Sequence, residues 1–278
     1  MIKIGDYNKL EVVKAVDFGV YLDGGDTEDN ILMPAKYVPE GTQIGDTVDV
    51  FVYTDSEDRL VATTETPLAK VGDFAALQVE AVNRYGAFVN WGIIKDLMVP
   101  FREQKTDMEP GSFHVVYIYL DDESDRPVAS AKVDNFLSDK MPDYKENDEV
   151  DVLIYKETEI GYKAVVDNKF GGLLYKNQVF KPIEKGDKRK AYIQKVRTDG
   201  KIDLILQKPG YSKIDDVAKN LLYTIRNHGG FMDVNDKSAP DRIKELFGIS
   251  KKSFKKAVGA LYKDRLIKFE SGGIKIID

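Results

Sequence analysis

Apolar and polar residues alternate with a period of two through the first three quarters of the chain, in short runs rich in Val, Ile, Tyr and Phe. That is the pattern of strands that bury one face. Val48-Asp49-Val50-Phe51-Val52-Tyr53, then Thr54-Asp55-Ser56-Glu57-Asp58-Arg59, then Leu60-Val61-Ala62 predicts a hairpin with an acidic tip. Val115 to Tyr119, Asp121 to Asp125 and Val128 to Ser130 predict the same hairpin again.

The recurrence extends beyond the hairpin. Gly5-Asp6 returns as Gly72-Asp73, and Phe18-Gly19-Val20-Tyr21-Leu22 returns as Tyr85-Gly86-Ala87-Phe88-Val89, both at an offset of 67. Ile31-Leu32-Met33-Pro34 returns as Leu97-Met98-Val99-Pro100 at 66, and Val61-Ala62-Thr63 as Val128-Ala129-Ser130 at 67. A more worn third copy aligns Asp148 with Asp6, Ile160-Gly161-Tyr162-Lys163 with the aromatic segment, Leu173-Leu174 with Ile31-Leu32, and Gly186-Asp187 with Gly45-Asp46. A unit of about 65 residues with four or five short strands buries a core only by closing its sheet, which also removes exposed edges. The small five-stranded barrel of that size is the OB fold.

After Pro209-Gly210 the period changes to about 3.6. Ile214, Val217, Leu221, Leu222 and Ile225 mark one helical face ended by Gly229-Gly230. A second helix is expected from Ser238-Ala239-Pro240 to Phe247, capped by Ser238 or its neighbour. Gly248-Ile249-Ser250 makes a tight turn into a third helix from Lys251 to about Lys263, which buries Phe254, Val258 and Leu261. Leu266 to Phe269 and Ile274 to Ile277, joined by Glu270-Ser271-Gly272-Gly273, complete a winged helix-turn-helix.

The expected architecture is multidomain and mainly β: three tandem OB-fold barrels over residues 1–66, 67–138 and 139–209, then an α+β winged helix over 210–278. The Gly-Asp opening, the Phe/Tyr-Gly-x-Phe/Tyr segment and the Leu-Met-Val-Pro-Phe stretch resemble the S-one RNA-binding domain, repeat two most of all. Three such repeats followed by a winged helix resemble the conserved virulence factor B family of bacteria. The resemblance implies RNA binding and post-transcriptional control of gene expression. One departure stands out. The S-one domain carries a histidine just after the Leu-Val pair, where this chain has Pro34, Pro100 and Lys176.

In repeat two a strand from Phe74 to Asn83 turns at Arg84-Tyr85-Gly86 into one from Ala87 to Trp91. Alternation puts Phe88 and Asn90 on one face and Val89 and Trp91 on the other, the core side. Tyr85, at the bend, is expected to lean toward Phe88. Rings on an open sheet face stack on unpaired bases without regard to sequence, and the resemblance assigns that task to Tyr85 and Phe88. Phe18 and Tyr21 are the equivalents in repeat one, and repeat three has Ile160 and Lys163 there. A core role for the same rings is the competing reading.

Charge is distributed unevenly. The net formal charge is −6, yet residues 1 to 68 carry 5 basic and 14 acidic side chains, whereas residues 211 to 278 carry 14 and 9. Lys185, Lys188, Arg189, Lys190, Lys195 and Arg197 cluster in repeat three; Lys188 and Lys190 share one face, as candidate phosphate contacts. Lys251, Lys252, Lys255, Lys256 and Lys263 crowd the third helix opposite its apolar stripe. Lysines neutralise phosphates but read bases poorly, which favours sequence-independent binding. The expected partner is single-stranded RNA. The acidic first barrel leaves room for a protein partner instead, and the winged helix for duplex DNA.

Cysteine is absent, so thiolate catalysis and cysteine-ligated zinc are excluded. Only His114 and His228 remain for acid-base work, and no phosphate-cradling loop or hydrolase elbow is present. The acidic stretches Asp23 to Asp29 and Asp121 to Asp125 lack the EF-hand ligand order. No enzyme activity, metal or cofactor is expected. No apolar run approaches the roughly 20 residues that span a bilayer, and a cytoplasmic, non-membrane protein is expected.

Overall fold

The fold was taken from a computed structural model, which describes residues 2–25, 30–179, 182–206, 216–270 and 272–277. Strands β1 (Asp6–Val16), β2 (Gly19–Leu22), β3 (Ile31–Pro34), β4 (Thr47–Thr54) and β5 (Leu60–Thr63) close into a barrel in the order β1-β2-β3-β5-β4. β6 (Phe74–Asn83), β7 (Gly86–Val89), β8 (Leu97–Pro100), β9 (Phe113–Leu120) and β10 (Pro127–Ser130) form the second barrel. β11 (Glu149–Glu157), β12 (Gly161–Val166), β13 (Phe170–Tyr175), β14 (Lys188–Val196) and β15 (Ile202–Ile205) form the third. β7 ends at Val89, two residues short of the expected Trp91, although Trp91 is buried as foreseen.

Closure depends on one long strand serving two neighbours. β1 pairs with β4 through its first half and with β2 through its second, and its register shifts between Val12 and Lys14. The same irregularity falls between Val79 and Ala81 in β6 and between Ile154 and Lys156 in β11. An extra residue at that point bends the strand and increases its twist, which a five-stranded barrel needs. A tight turn clasps each bend. Gly45 N–H donates to Val12 O, Gly111 N–H to Val79 O, and Gly186 N–H to Ile154 O, each at 2.8 Å. The opening motif has an equally local cause: Gly5, Gly72 and Asn147 all have positive φ (72°, 94° and 73°) just before Asp6, Asp73 and Asp148. Asn is among the few residues besides Gly that tolerate that conformation.

Strand register corrects the alignment of the third copy. Gly19 faces Pro34, Gly86 faces Pro100, and Gly161 faces Tyr175. Tyr175, not Lys176, therefore occupies the third proline position, and Leu173-Leu174 match Leu32-Met33 rather than Ile31-Leu32. The place of Ile31 is taken by Gly172, where a Cβ would lie 2.5 Å from Leu204 Cδ1 and 2.8 Å from Val166 Cγ2. Those two side chains fill the space an isoleucine fills in barrel one.

The chain divides into two compact units, residues 1–137 and 138–278. In the first, the core of barrel two continues into barrel one. Phe51, Tyr53 and Val61 of barrel one join Ala69, Leu77, Val89, Trp91, Leu97 and Ile118 in one buried cluster. Trp91 donates Nε1–H to Ala69 O at 2.7 Å and meets Phe51 edge-on at 5.3 Å between ring centres. Lys70 Nζ bonds Asp6 Oδ1 at 2.9 Å across the junction, and Arg126 pairs with Asp58 between the two acidic hairpins. Burial alone would raise the Asp6 pKa, but the hydrogen bonds from Lys70 and Tyr7 N–H outweigh it and hold the carboxyl below its ordinary value.

In the second unit, barrel three precedes α1 (Asp216–Asn227), β16 (Phe231–Met232), α2 (Pro240–Phe247), α3 (Lys251–Lys263), β17 (Ile267–Glu270) and β18 (Gly273–Ile276), with a three-stranded sheet in the order β16-β18-β17. Leu221, Leu222, Ile225, Ile243, Phe254, Ala257, Val258 and Leu261 fill its core. Gly248 ends α2 at φ 65°, and Ser250 Oγ caps α3 by accepting from Ser253 N–H at 3.1 Å. α2 has Ala239 at its N-cap and no side-chain cap; Ser238 Oγ instead accepts from Asn235 N–H. Ile214, the Pro209-Gly210 junction and Ser271 lie outside the described residues. β16 was not anticipated, because two residues are too few to show a period.

Candidate nucleic-acid interface

One outer sheet face recurs in each barrel, and a glycine shapes it. A Cβ on Gly19 or Gly86 would stand 2.2 or 2.3 Å from Met33 O or Val99 O, and both residues have strongly positive φ. At Gly161 the corresponding distance, to Leu174 O, is 2.1 Å. Only glycine lets the second strand approach the third this closely, and the residue before it is thereby displayed at the turn. Phe18 is 59% exposed, Tyr85 57% and Ile160 62%.

In barrel one, Phe18 and Tyr21 meet edge-on at 6.4 Å, and Lys14 Nζ, across the strand pair from Tyr21, lies 6.0 Å from the Tyr21 ring centre. In barrel two Phe88 is half-buried between Ala81 and Met98, while Ala87 and Val89 on either side are fully buried. Phe88 therefore lies on the outer face rather than in the core. Tyr85 does not lean on Phe88 as expected. Its ring is covered by the Arg84 guanidinium at 4.8 Å, and Arg84 Nη2 donates to Tyr85 Oη at 2.6 Å. Adjacency in sequence makes this contact cheap in conformational entropy, and a cation over a ring face is favourable in itself.

Barrel three differs in chemistry. Lys163 is half-buried on the outer face, opposite Lys156 on one side and Leu173 on the other. Tyr175 accepts from Arg197 Nη2 at 2.6 Å and donates to Asp203 Oδ1 at 3.2 Å, which holds a ring that the sequence reading overlooked. Lys176 pairs with Glu157 at 2.7 Å. The basic cluster is more neutralised than its sequence suggested. Lys190 pairs with Asp151 at 2.8 Å, Arg189 with Asp187 at 2.6 Å, and Arg197 with Asp203 at 3.1 Å. Lys188 and Lys195 remain exposed without a carboxylate partner among the described residues. The winged helix is tied to this barrel by Arg226, which donates to Val179 O at 2.7 Å.

On α3, Lys252, Lys255, Lys256 and Lys263 are exposed, while Lys251 reaches Lys237 O at 3.4 Å. No acidic residue interrupts the helix. Both histidines have structural explanations. His114 is buried with Nε2 3.1 Å from Ser112 Oγ, and His228 Nδ1 lies 2.8 Å from Thr224 O at the end of α1. Among the described residues no cluster of His, Asp or Glu is arranged to hold a metal ion, and no helix is long and apolar enough to cross a membrane. Asp121 is engaged by Ser124 and Arg102. The acidic stretch at 26–29 lies outside the described residues.

Closed five-stranded barrels with exposed rings beside cations, joined to a lysine-rich winged helix, define a class of nucleic-acid-binding multidomain protein. Residues 4–65 match the S1 domain family, and residues 219–276 match the CvfB-like winged helix domain. The S1 match falls on barrel one. Over nearly its whole length the chain is similar to the uncharacterized protein YitL of Bacillus subtilis, at 27% identity over 96% of this chain and 92% of that one. It is similar to conserved virulence factor B of Staphylococcus saprophyticus (25% identity, 98% and 94% coverage) and of Staphylococcus aureus (23%, with the same coverage). A solved multidomain protein with nucleic acid binding domains from Streptococcus pneumoniae aligns over 99% of this chain and 98% of that one, at 24% identity and a TM-score of 0.45.

Proposed function

We propose that the chain is a non-catalytic, cytoplasmic protein that binds single-stranded RNA with little base preference and acts on gene expression after transcription. The observation that carries this reading is the exposed aromatic position at the same turn of barrels one and two, where Phe18 meets the Tyr21 ring that Lys14 approaches and Tyr85 lies under Arg84. Unpaired bases offer their π-faces to such rings, whereas a duplex keeps its bases stacked internally. Phe18, Tyr21, Tyr85 and Phe88 would stack bases. Lys163, Lys188, Lys190, Lys251, Lys252, Lys255 and Lys256 would contact phosphates, with Lys190 the weakest of these because Asp151 already holds it. Prolines in place of the family's histidine in barrels one and two argue for weak individual sites, which tandem linkage raises to useful avidity.

Titration with labelled unpaired RNA and with duplex DNA at several salt concentrations tests the reading. Tighter binding of the RNA, falling by about 0.7 logarithmic units per phosphate contact for each tenfold rise in salt, is the expected result. Equal or tighter binding of the duplex would overturn it. The acidic surplus of residues 1 to 68 favours a second reading for barrel one alone, docking on a basic protein. That reading predicts that a chain lacking the Phe18 and Tyr21 rings binds RNA as tightly as the parent.

A further inference from the structure

We propose that the winged helix carries its own base-stacking site, built from Tyr262 on α3 and Phe269 on β17, with Gly259 as the gap through which the RNA backbone passes. This rests on the reading that the chain binds unpaired RNA, and it names a site outside the three barrels. The two rings are 5.4 Å apart with 39° between their planes, and they are 56% and 47% exposed. The domain core does not need them, because Phe254, Ala257, Val258, Leu261 and Ile267 already bury the inner faces of the same two elements.

Position on the helix supplies the complementary charge. At 3.6 residues per turn, Lys255 and Tyr262 lie on one strip two turns apart, about 10.5 Å along the axis, with Lys252 and Lys263 on the strip beside it. Lys252, Lys255 and Lys263 have no carboxylate partner among the described residues. Glu270, the acid next to Phe269, is occupied by Lys268 at 3.0 Å and Lys275 at 3.6 Å. Asp264, exposed at the C-cap of α3, is the other acid adjoining this strip; the three lysines outnumber it, and the face suits a polyanion.

Gly259 is the independent sign. It lies mid-helix and exposed, its φ is not positive, and a Cβ added there would meet nothing within 4 Å. Neither conformation nor packing calls for glycine, and glycine weakens a helix interior relative to alanine. A bare backbone between Lys255 and Tyr262 lets another chain approach closely. Phosphates held by Lys252 and Lys255 would enter over Gly259 and deliver a base to the Tyr262–Phe269 step. Rings projecting at the end of a recognition helix offer stacking faces, which unpaired bases reach without the cost of unstacking a duplex.

The test uses the full chain and fluorescein-labelled oligouridylate, with a duplex DNA of equal length as comparison. Tyr262→Ala and Phe269→Ala should each weaken RNA binding by roughly 5- to 150-fold, the range for one lost stacked base. Tyr262→Phe should bind as the parent does. Gly259→Leu should weaken RNA binding with no fall in melting temperature, since leucine strengthens the helix while closing the gap. No RNA binding by the parent would overturn the RNA reading itself. Binding by the parent that is weakened by Phe88→Ala but untouched by Tyr262→Ala and Gly259→Leu would overturn this site alone. A Tyr262→Ala effect equally large on duplex DNA would overturn the unpaired-strand assignment. If an alanine variant fails to fold by circular dichroism, Gly259→Leu decides the matter.

Discussion

Replacing Trp91 with Phe isolates the contact that fuses the first two barrels. Trp91 is 1% exposed, and its indole N–H donates to Ala69 O at 2.7 Å. Phenylalanine keeps an aromatic ring against Phe51 but leaves that carbonyl without its partner inside a dry cluster. The desolvation of one unpaired carbonyl costs about 1–3 kcal/mol, and the lost ring volume adds to it. Trp91→Ala, which removes the whole ring, should cost about 3–5 kcal/mol. Because Phe51, Tyr53 and Val61 belong to the same cluster as Trp91, the loss should appear in barrel one as much as in barrel two. Urea unfolding gives the total, and amide hydrogen exchange, compared between residues 47–63 and residues 113–130, gives its distribution. A loss below about 0.5 kcal/mol, or faster exchange confined to barrel two, would refute the shared core. The point bears on function, since a rigid pair of barrels presets the spacing between the Phe18–Tyr21 and Tyr85–Phe88 faces and lowers the entropy cost of engaging both.

Gly86→Ala should destabilise the first unit by about 1–3 kcal/mol or more, read from the urea midpoint, because its Cβ would collide with Val99 O in a left-handed backbone; an unchanged midpoint would show that β7 and β8 yield freely. Tyr53, whose pKa burial pushes up to about 12, with Tyr37 and Glu65 adding to the effect, ties stability to alkaline pH. Its neutral form is favoured in the folded state. The contribution is complete below pH 10, where the unfolded tyrosine is also neutral, and is lost as pH rises from 10 through 12. Unfolding free energy should fall in that window and Tyr53→Phe should flatten the fall; an identical pH profile in the variant would contradict the assignment. At the acid end, the lowered Asp6 pKa makes the Lys70 contact a source of stability present above the ordinary carboxylate pKa and lost as pH drops through the folded value. Asp6→Asn should remove that acid-side dependence in melting experiments.

Much of this was legible because the repeats are punctuated by residues with a backbone reason to recur. Gly5, Gly72 and Asn147 share one left-handed turn, and Gly19, Gly86 and Gly161 share one close strand approach. Where the third copy departs from the pattern, the reading slipped by one residue. Gly172 replaces an inward apolar residue and Leu204 fills its space, a substitution between strands far apart in sequence. The basic run of barrel three misled for the same reason. Lys190 reads as a free cation until β11 brings Asp151, 39 positions away, to within 2.8 Å. On α3 the reverse holds. The lysine strip follows from periodicity alone, but Tyr262 and Phe269 reach each other only through the fold, so neither stood out before it was known.

The most direct test of the account is the affinity of the full chain for an unpaired RNA, measured at fixed salt before and after Tyr85→Ala and Phe88→Ala. Each change should weaken binding by roughly 5- to 150-fold; the melting temperature should hold for exposed Tyr85→Ala, and the fall caused by half-buried Phe88→Ala should leave the protein folded at the assay temperature. Unaltered affinity in the doubly changed protein would mean that the outer rings of barrel two do not hold RNA.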